Sequence, residues 1–223
     1  MFEFISHFLK GVGWFASLWL VLPALLLFWP NSRLIKSISN HCVGIIDITS
    51  IWFGEIIKWA LPLLVLSVAL SVFALSLFGL SWTILFESAQ YLHAAVIMLG
   101  ASATLLMNQH VRVDILQSRL GPTQKALVDF TGFYVGLMPV CLLLIWSSLS
   151  FVGFSWQIFE GSAESDGIRG LFFLKTLIPI FAIMLLAQGL AIALRAVMVM
   201  RGLEEPPRPQ DVPDLFPEPK ASR

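Results

Sequence analysis

Two charged residues lie at the edges of long apolar stretches, where a charge needs a partner or a function. Glu87 follows the apolar run Trp59–Phe86, and Lys175 precedes the apolar run Thr176–Leu194. If both helices enter the membrane from the outer side, Glu87 lies roughly 8 Å deep and Lys175 roughly 6 Å deep, at about 1.5 Å per residue. Opposite charges at similar depth predict an intramembrane ion pair. Proton or cation binding by Glu87, and extension of Lys175 to the interface, are the alternatives.

Uncharged polar residues inside the apolar runs could support hydrogen bonding or redox chemistry. His93 is deep in a run and the other histidines fall near segment ends, so haem ligation by two histidines is disfavoured. We therefore expect His93 and Gln188 to form hydrogen bonds between helices. A membrane enzyme or redox subunit that uses Glu87, Tyr91 and His93 is the alternative. The sequence has no Ser/His/Asp set, HExxH motif or phosphate-binding loop, and we predict no enzyme activity, no metal and no cofactor.

The composition indicates that lipid is the main solvent of this chain. Of its 223 residues, 57% are hydrophobic and 13% are charged, whereas a soluble domain carries about 25% charged residues. This excludes a soluble enzyme and an intrinsically disordered chain. Fourteen basic and fourteen acidic residues cancel, so no basic field is available to attract nucleic acid.

Five stretches without charged residues are long enough to cross a bilayer, which takes about 20 residues of helix. We predict helices near 11–30, 56–79, 82–108, 128–156 and 171–198. Backbone groups must be paired in hydrocarbon, and no alternating barrel pattern is present. The expected fold class is therefore all-α, a polytopic helical membrane protein.

The remaining segments divide the chain into four units. Residues 1–35 are expected to form an additional N-terminal spanning helix, with a secretory signal as the alternative. Residues 36–55 mix polar and apolar residues, which suits an amphipathic arm helix in the headgroup plane; a buried connecting helix is the alternative. Residues 56–200 form the four-helix scaffold. The proline-rich residues 201–223 are expected to be a disordered cytoplasmic tail.

The distribution of basic residues predicts the orientation. Lysine and arginine collect in the 109–127 loop and at the end of the last helix, whereas the 157–170 loop is acidic. The positive-inside rule then places the 109–127 loop and the C-terminus in the cytoplasm and the 157–170 loop outside.

Several short motifs carry a resemblance to a known family. They are FES at 86–88, MLGA at 98–101, NQHVRVD at 108–114, EGSAES at 160–165, LKTLIP at 174–179 and QGL at 188–190. In combination, from about Ile46 to Arg195, the chain resembles the small, DctQ-type permease subunit of TRAP (tripartite ATP-independent periplasmic) transporters.

The resemblance implies the small subunit of a sodium-coupled secondary transporter, a symporter for an organic acid or related solute in the bacterial inner membrane. Its partners would be a large membrane subunit that carries the substrate and sodium sites, a periplasmic solute-binding protein, and membrane lipids. The small subunit would brace the large one with a four-helix core and a membrane-plane helix, here at 36–54. The run 11–30 is an additional span beyond the usual pattern. An assembly factor without a part in transport is a further alternative.

Two groups of polar residues receive roles from this resemblance. His110, Arg112 and Asp114 would lie at a cytoplasmic helix end, where Arg112 can bind helix-terminal carbonyls or lipid phosphate. The acidic outer loop is a candidate docking surface for the binding protein, because charge complementarity guides encounter. Its residues are Glu160, Glu164 and Asp166. A solvated loop is the alternative in both cases.

Overall fold

The computed structural model describes residues 20–29, 32–107, 120–204 and 206. Within these ranges the chain is helical and has no strand. The helices are α1 (Leu22–Phe28), α2 (Arg33–Ile57), α3 (Ala60–Phe78), α4 (Thr83–Leu106), α5 (Pro122–Gly132), α6 (Met138–Gln157) and α7 (Leu171–Met200). A π-helical turn, Phe133–Leu137, joins α5 to α6.

Four helical segments of the described chain are long and apolar enough to cross a membrane. They are α2 with α3, then α4, then α5 with α6, and finally α7. The predicted fold class is confirmed: the protein is an all-α, polytopic helical membrane protein. Whether α2 lies in the membrane plane stays a prediction.

The helix ends follow local sequence signals. Gly79 adopts a left-handed conformation with φ of 64°, and the amide of Leu80 donates to the carbonyl of Ala74 at 3.2 Å, which closes α3. Gly202 closes α7 in the same way. The helix predicted at 128–156 begins earlier, at Pro122. Proline suits a first helical position because its missing N–H would be unpaired there.

The core lies around the second half of α7. This half is buried by α2, α4, α5 and α6, and Leu194 and Met198 are among its enclosed side chains. Gly189 has no room for a Cβ atom, which would meet Leu137 and Phe133 of the π-helical turn. Gly54 of α2 likewise packs on Ala103 of α4, whose Cβ would lie 2.8 Å from an added Cβ. Small residues therefore allow two close approaches, of α7 to the π-helical turn and of α2 to α4.

The N-terminal segment is attached to this core. Leu22 and Leu26 of α1 are buried, the hydroxyl of Tyr134 donates to the carbonyl of Leu20 at 2.8 Å, and the guanidinium of Arg201 donates to the carbonyl of Leu27. Residues 1–19 and most of the predicted 201–223 tail lie outside the described residues. A spanning helix over 11–30 and a disordered tail therefore stay predictions.

Candidate functional site

A cluster of polar side chains is buried between α2 and α7. Asp47 and Ser50 lie three residues apart on α2, and Gln188 and Arg195 lie seven residues apart on α7. Both spacings place the two side chains on one face of their helix. The exposed fractions are 1% for Asp47, 0% for Gln188 and 5% for Arg195, so the charges of Asp47 and Arg195 are enclosed away from water.

The carboxylate of Asp47 is the acceptor at the centre of the cluster. Arg195 donates to it in a bidentate manner, through Nη1 to Oδ1 at 3.3 Å and through Nη2 to Oδ2. Gln188 donates from Nε2 to the same Oδ1 at 3.3 Å, and Ser50 donates from Oγ to Gln188 Oε1 at 2.8 Å. A planar guanidinium matches a carboxylate in this geometry, which fixes the relative orientation of the two helices.

This cluster can hold α2 and α7 together. Burying two charges costs several kcal/mol per ion, which is compensated only by good geometry and further hydrogen bonds. Asp47 receives both, from Arg195 and Gln188. Arg195 Nε is buried without a partner in the described part of the chain. The arrangement is an electrostatic clamp between α2 and α7, which we call the α2–α7 clamp.

Sequence reasoning found one member of the clamp and missed the rest. It assigned Gln188 to bonds between helices, and the structure gives Gln188 two such bonds, to Ser50 and Asp47. Arg195 counted only among the basic residues at the end of the last helix that predict the orientation, and Asp47 was not singled out. A signal existed: Asp47 is the one acidic residue between Arg33 and Gly54, and Arg195 interrupts the most apolar half of α7.

The prediction that Glu87 pairs with Lys175 is wrong in its partners. Glu87 instead accepts hydrogen bonds from the loop between α6 and α7, from Ser162 Oγ to Oε1 and from the Ile168 amide to Oε2 at 2.6 Å. Lys175 pairs with Glu160 at 2.5 Å. The loop folds back over the ends of α4 and α7, so Glu87 and Lys175 each pair with groups of the loop and not with each other.

Lys175 is held on two sides. Its ammonium lies 4.1 Å from the centre of the Phe151 ring, a cation–π contact, and it donates to Glu160. That hydrogen bond lowers the pKa of the Glu160 carboxyl below its ordinary value. The Glu160 carboxylate is therefore already paired with Lys175, whereas Glu164 and Asp166 are exposed.

The family model for the DctQ component of tripartite ATP-independent periplasmic transporters matches residues 64–201, which is more than half of the chain. The chain belongs to the DctQ component family. No curated protein and no solved structure matches it.

Family membership makes this DctQ component part of a transporter rather than an enzyme. The match begins within α3, so α2 precedes it. The α2–α7 clamp therefore joins a helix outside the matched region to the last helix inside it.

The residues of the redox alternative do not converge in this DctQ component. Tyr91 and His93 are two positions apart on α4, which points their side chains about 200° apart around the helix. Glu87 bonds to the loop, whereas His93 is exposed on the outer surface and makes no bond between helices of the described chain. The predicted hydrogen bond of His93 between helices therefore has no partner in the described chain and stays a prediction. His110, Arg112 and Asp114 lie outside the described residues, and their roles stay predictions.

Proposed function

We propose that this chain is the scaffold subunit of a sodium-coupled, binding-protein-dependent TRAP transporter, and that it braces the large membrane subunit during uptake of an organic acid or related small solute. The observation that carries the proposal is the α2–α7 clamp. A scaffold subunit that braces a moving partner must hold its own helices in a fixed orientation. A buried bidentate ion pair between two helices fixes their orientation.

The use of the acidic side chains supports a structural role. Asp47, Glu55 and Glu87 are carboxylates within helices of the described chain, and all three accept hydrogen bonds from groups of the same chain. Carboxylates used in this way hold the fold together. In this proposal the sodium and substrate sites therefore belong to the large subunit.

The position of α2 supports a membrane-plane arm at the cytoplasmic side. It meets α4 at Ala103, near the end of that helix at Leu106, and it meets α7 from Gln188 to Arg195, in the second half of a helix that ends at Met200. The loop between α6 and α7 is at the opposite end of α7. We place this cytoplasmic end, with the C-terminus, on the inner side of a bacterial inner membrane.

The periplasmic binding protein would dock on the outer loop. Of the predicted docking residues, Glu164 and Asp166 are exposed and Glu160 is paired with Lys175. We therefore assign docking to Glu164 and Asp166, with Glu160 and Glu87 holding the loop in shape. Exposed carboxylates act mainly on the rate of encounter and its salt dependence.

Reconstituted transport tests this function. The large subunit, reconstituted into proteoliposomes with the binding protein and an inward sodium gradient, is expected to take up solute only when this chain is present. Equal uptake by the large subunit without it would contradict the bracing role and favour an assembly factor. Uptake that does not respond to the sodium gradient would contradict only the sodium coupling and would leave the bracing role standing.

A further inference from the structure

Two polar side chains on α4 face away from the rest of the described chain. Gln90 and His93 are both exposed, and neither makes a hydrogen bond within the described part of the chain. Phe86 and Ile97, with exposed fractions of 63% and 55%, lie on the same side. The spacing of these residues, four, three and four positions, gives one straight row along a helix. We call this row, Phe86, Gln90, His93 and Ile97, the α4 stripe.

The stripe lies at the depth of the hydrocarbon. His93 is ten positions after Thr83, the first residue of α4, which corresponds to about 15 Å along the helix, near the middle of a bilayer core of about 30 Å. Gln90 is about 5 Å nearer the outer end. Lipid tails offer no hydrogen-bonding group at either depth.

The other outer surfaces differ from this stripe. Large exposed side chains of α3 are apolar, among them Val65, Val72 and Phe73, as lipid requires. The exposed hydroxyl of Ser147 on α6 bonds to the Leu144 carbonyl of its own helix. Gln90 and His93 are too long to be satisfied by the backbone as serine is, and an unpaired amide or imidazole in hydrocarbon is costly.

We propose that the α4 stripe is the surface on which a spanning helix of the large membrane subunit packs, with a hydrogen-bonding side chain of that helix opposite Gln90 and His93. This inference rests on the proposed function, because it takes the large subunit as the partner. The partner helix is apolar opposite Phe86 and Ile97 and polar between them. The polar pair sets the register of the two helices, as buried polar residues do in helix pairs.

The first test removes the polar groups. In the complex extracted from native membranes, Q90L/H93L is expected to lower recovery of the large subunit by between about threefold and tenfold, since hydrogen bonds between spanning helices are individually modest. The chain's own melting temperature is expected to stay the same or rise, because no internal bond is lost. The matched control is S147L/S150L, which removes two exposed hydroxyls from α6 and is expected to leave recovery unchanged.

The second test identifies the occupant. A photoreactive benzoylphenylalanine in place of Ile97 is expected to cross-link to the large subunit, whereas the same group in place of Val65 on α3 is expected to label lipid. Adducts from the Ile97 position to a second copy of this chain, or to lipid alone, would overturn the assignment. Recovery of the large subunit with the wild-type chain separates the two claims. If the wild-type chain recovers no large subunit, the proposed function fails. If the wild-type chain and Q90L/H93L recover the large subunit equally, only the assignment of the α4 stripe fails.

Discussion

At the residue scale, the charges of this chain are distributed by burial. Asp47 and Arg195 are enclosed and pair with each other, whereas Lys175, near the start of α7, pairs with Glu160 of the adjoining loop, and both side chains are partly exposed. Buried pairs are strongly destabilising when one partner is removed, because the other charge is left without compensation. Exposed pairs contribute little. The two ion pairs should therefore respond very differently to substitution.

For the buried pair, D47A is expected to lower the free energy of unfolding by about 3–5 kcal/mol, because Arg195 is left charged and unpaired. The double variant D47L/R195M is expected to recover most of that loss, since apolar side chains of similar size can replace a buried ion pair. Thermal unfolding in detergent, followed by tryptophan fluorescence, measures both. Losses that simply add in D47L, R195M and the double variant would show that the pair is not coupled.

For the loop pair, the expected effect is a pH dependence. The folded chain lowers the pKa of Glu160, so the stabilisation is present above the ordinary carboxyl pKa and is lost as the pH falls through the lowered value. Amide hydrogen exchange in residues 158–170, relative to the intrinsic rate, should therefore rise in acid.

The variant E160Q should exchange faster at neutral pH and lose that acid step. E164Q is the control, because Glu164 is exposed and its side chain makes no bond in the described chain. An acid step that persists in E160Q would assign the change to another carboxylate.

At the element scale, close approach between α7 and the π-helical turn depends on one missing side chain. A Cβ on Gly189 would meet Leu137 and Phe133, whereas a Cβ on Gly153 of α6 meets nothing within 4 Å. Overpacking in a closed interior costs more than the entropy that alanine gains over glycine. The two glycines therefore provide a matched comparison between a packing requirement and an incidental glycine.

G189A is expected to destabilise the chain by about 1–3 kcal/mol, because α7 must move away from Phe133 and Leu137. G153A is expected to be neutral or slightly stabilising. Melting temperatures of the two purified variants make the comparison. Equal melting temperatures would mean that the contact between α7 and the π-helical turn is loose.

At the scale of the whole molecule, the sequence predicts the elements better than their contacts. The spans could be predicted because the length of an apolar run is a local property, and α3, α4 and α7 begin and end within a few residues of expectation. The pairing of Asp47 with Arg195 joins positions 148 residues apart, and it depends on how α2 crosses α7. The same limit explains Glu87: its position near the start of α4 could be predicted, but the fold of the loop that reaches it could not.

The measurement that tests the central claim most directly is identification of what this chain binds in native membranes. With an affinity tag at the C-terminus and gentle extraction, mass spectrometry is expected to recover a much larger, many-span membrane protein in constant ratio to this chain. That result would establish the chain as one part of a TRAP membrane complex. Recovery of this chain alone, well folded and with the large subunit present in the same membranes, would contradict the account.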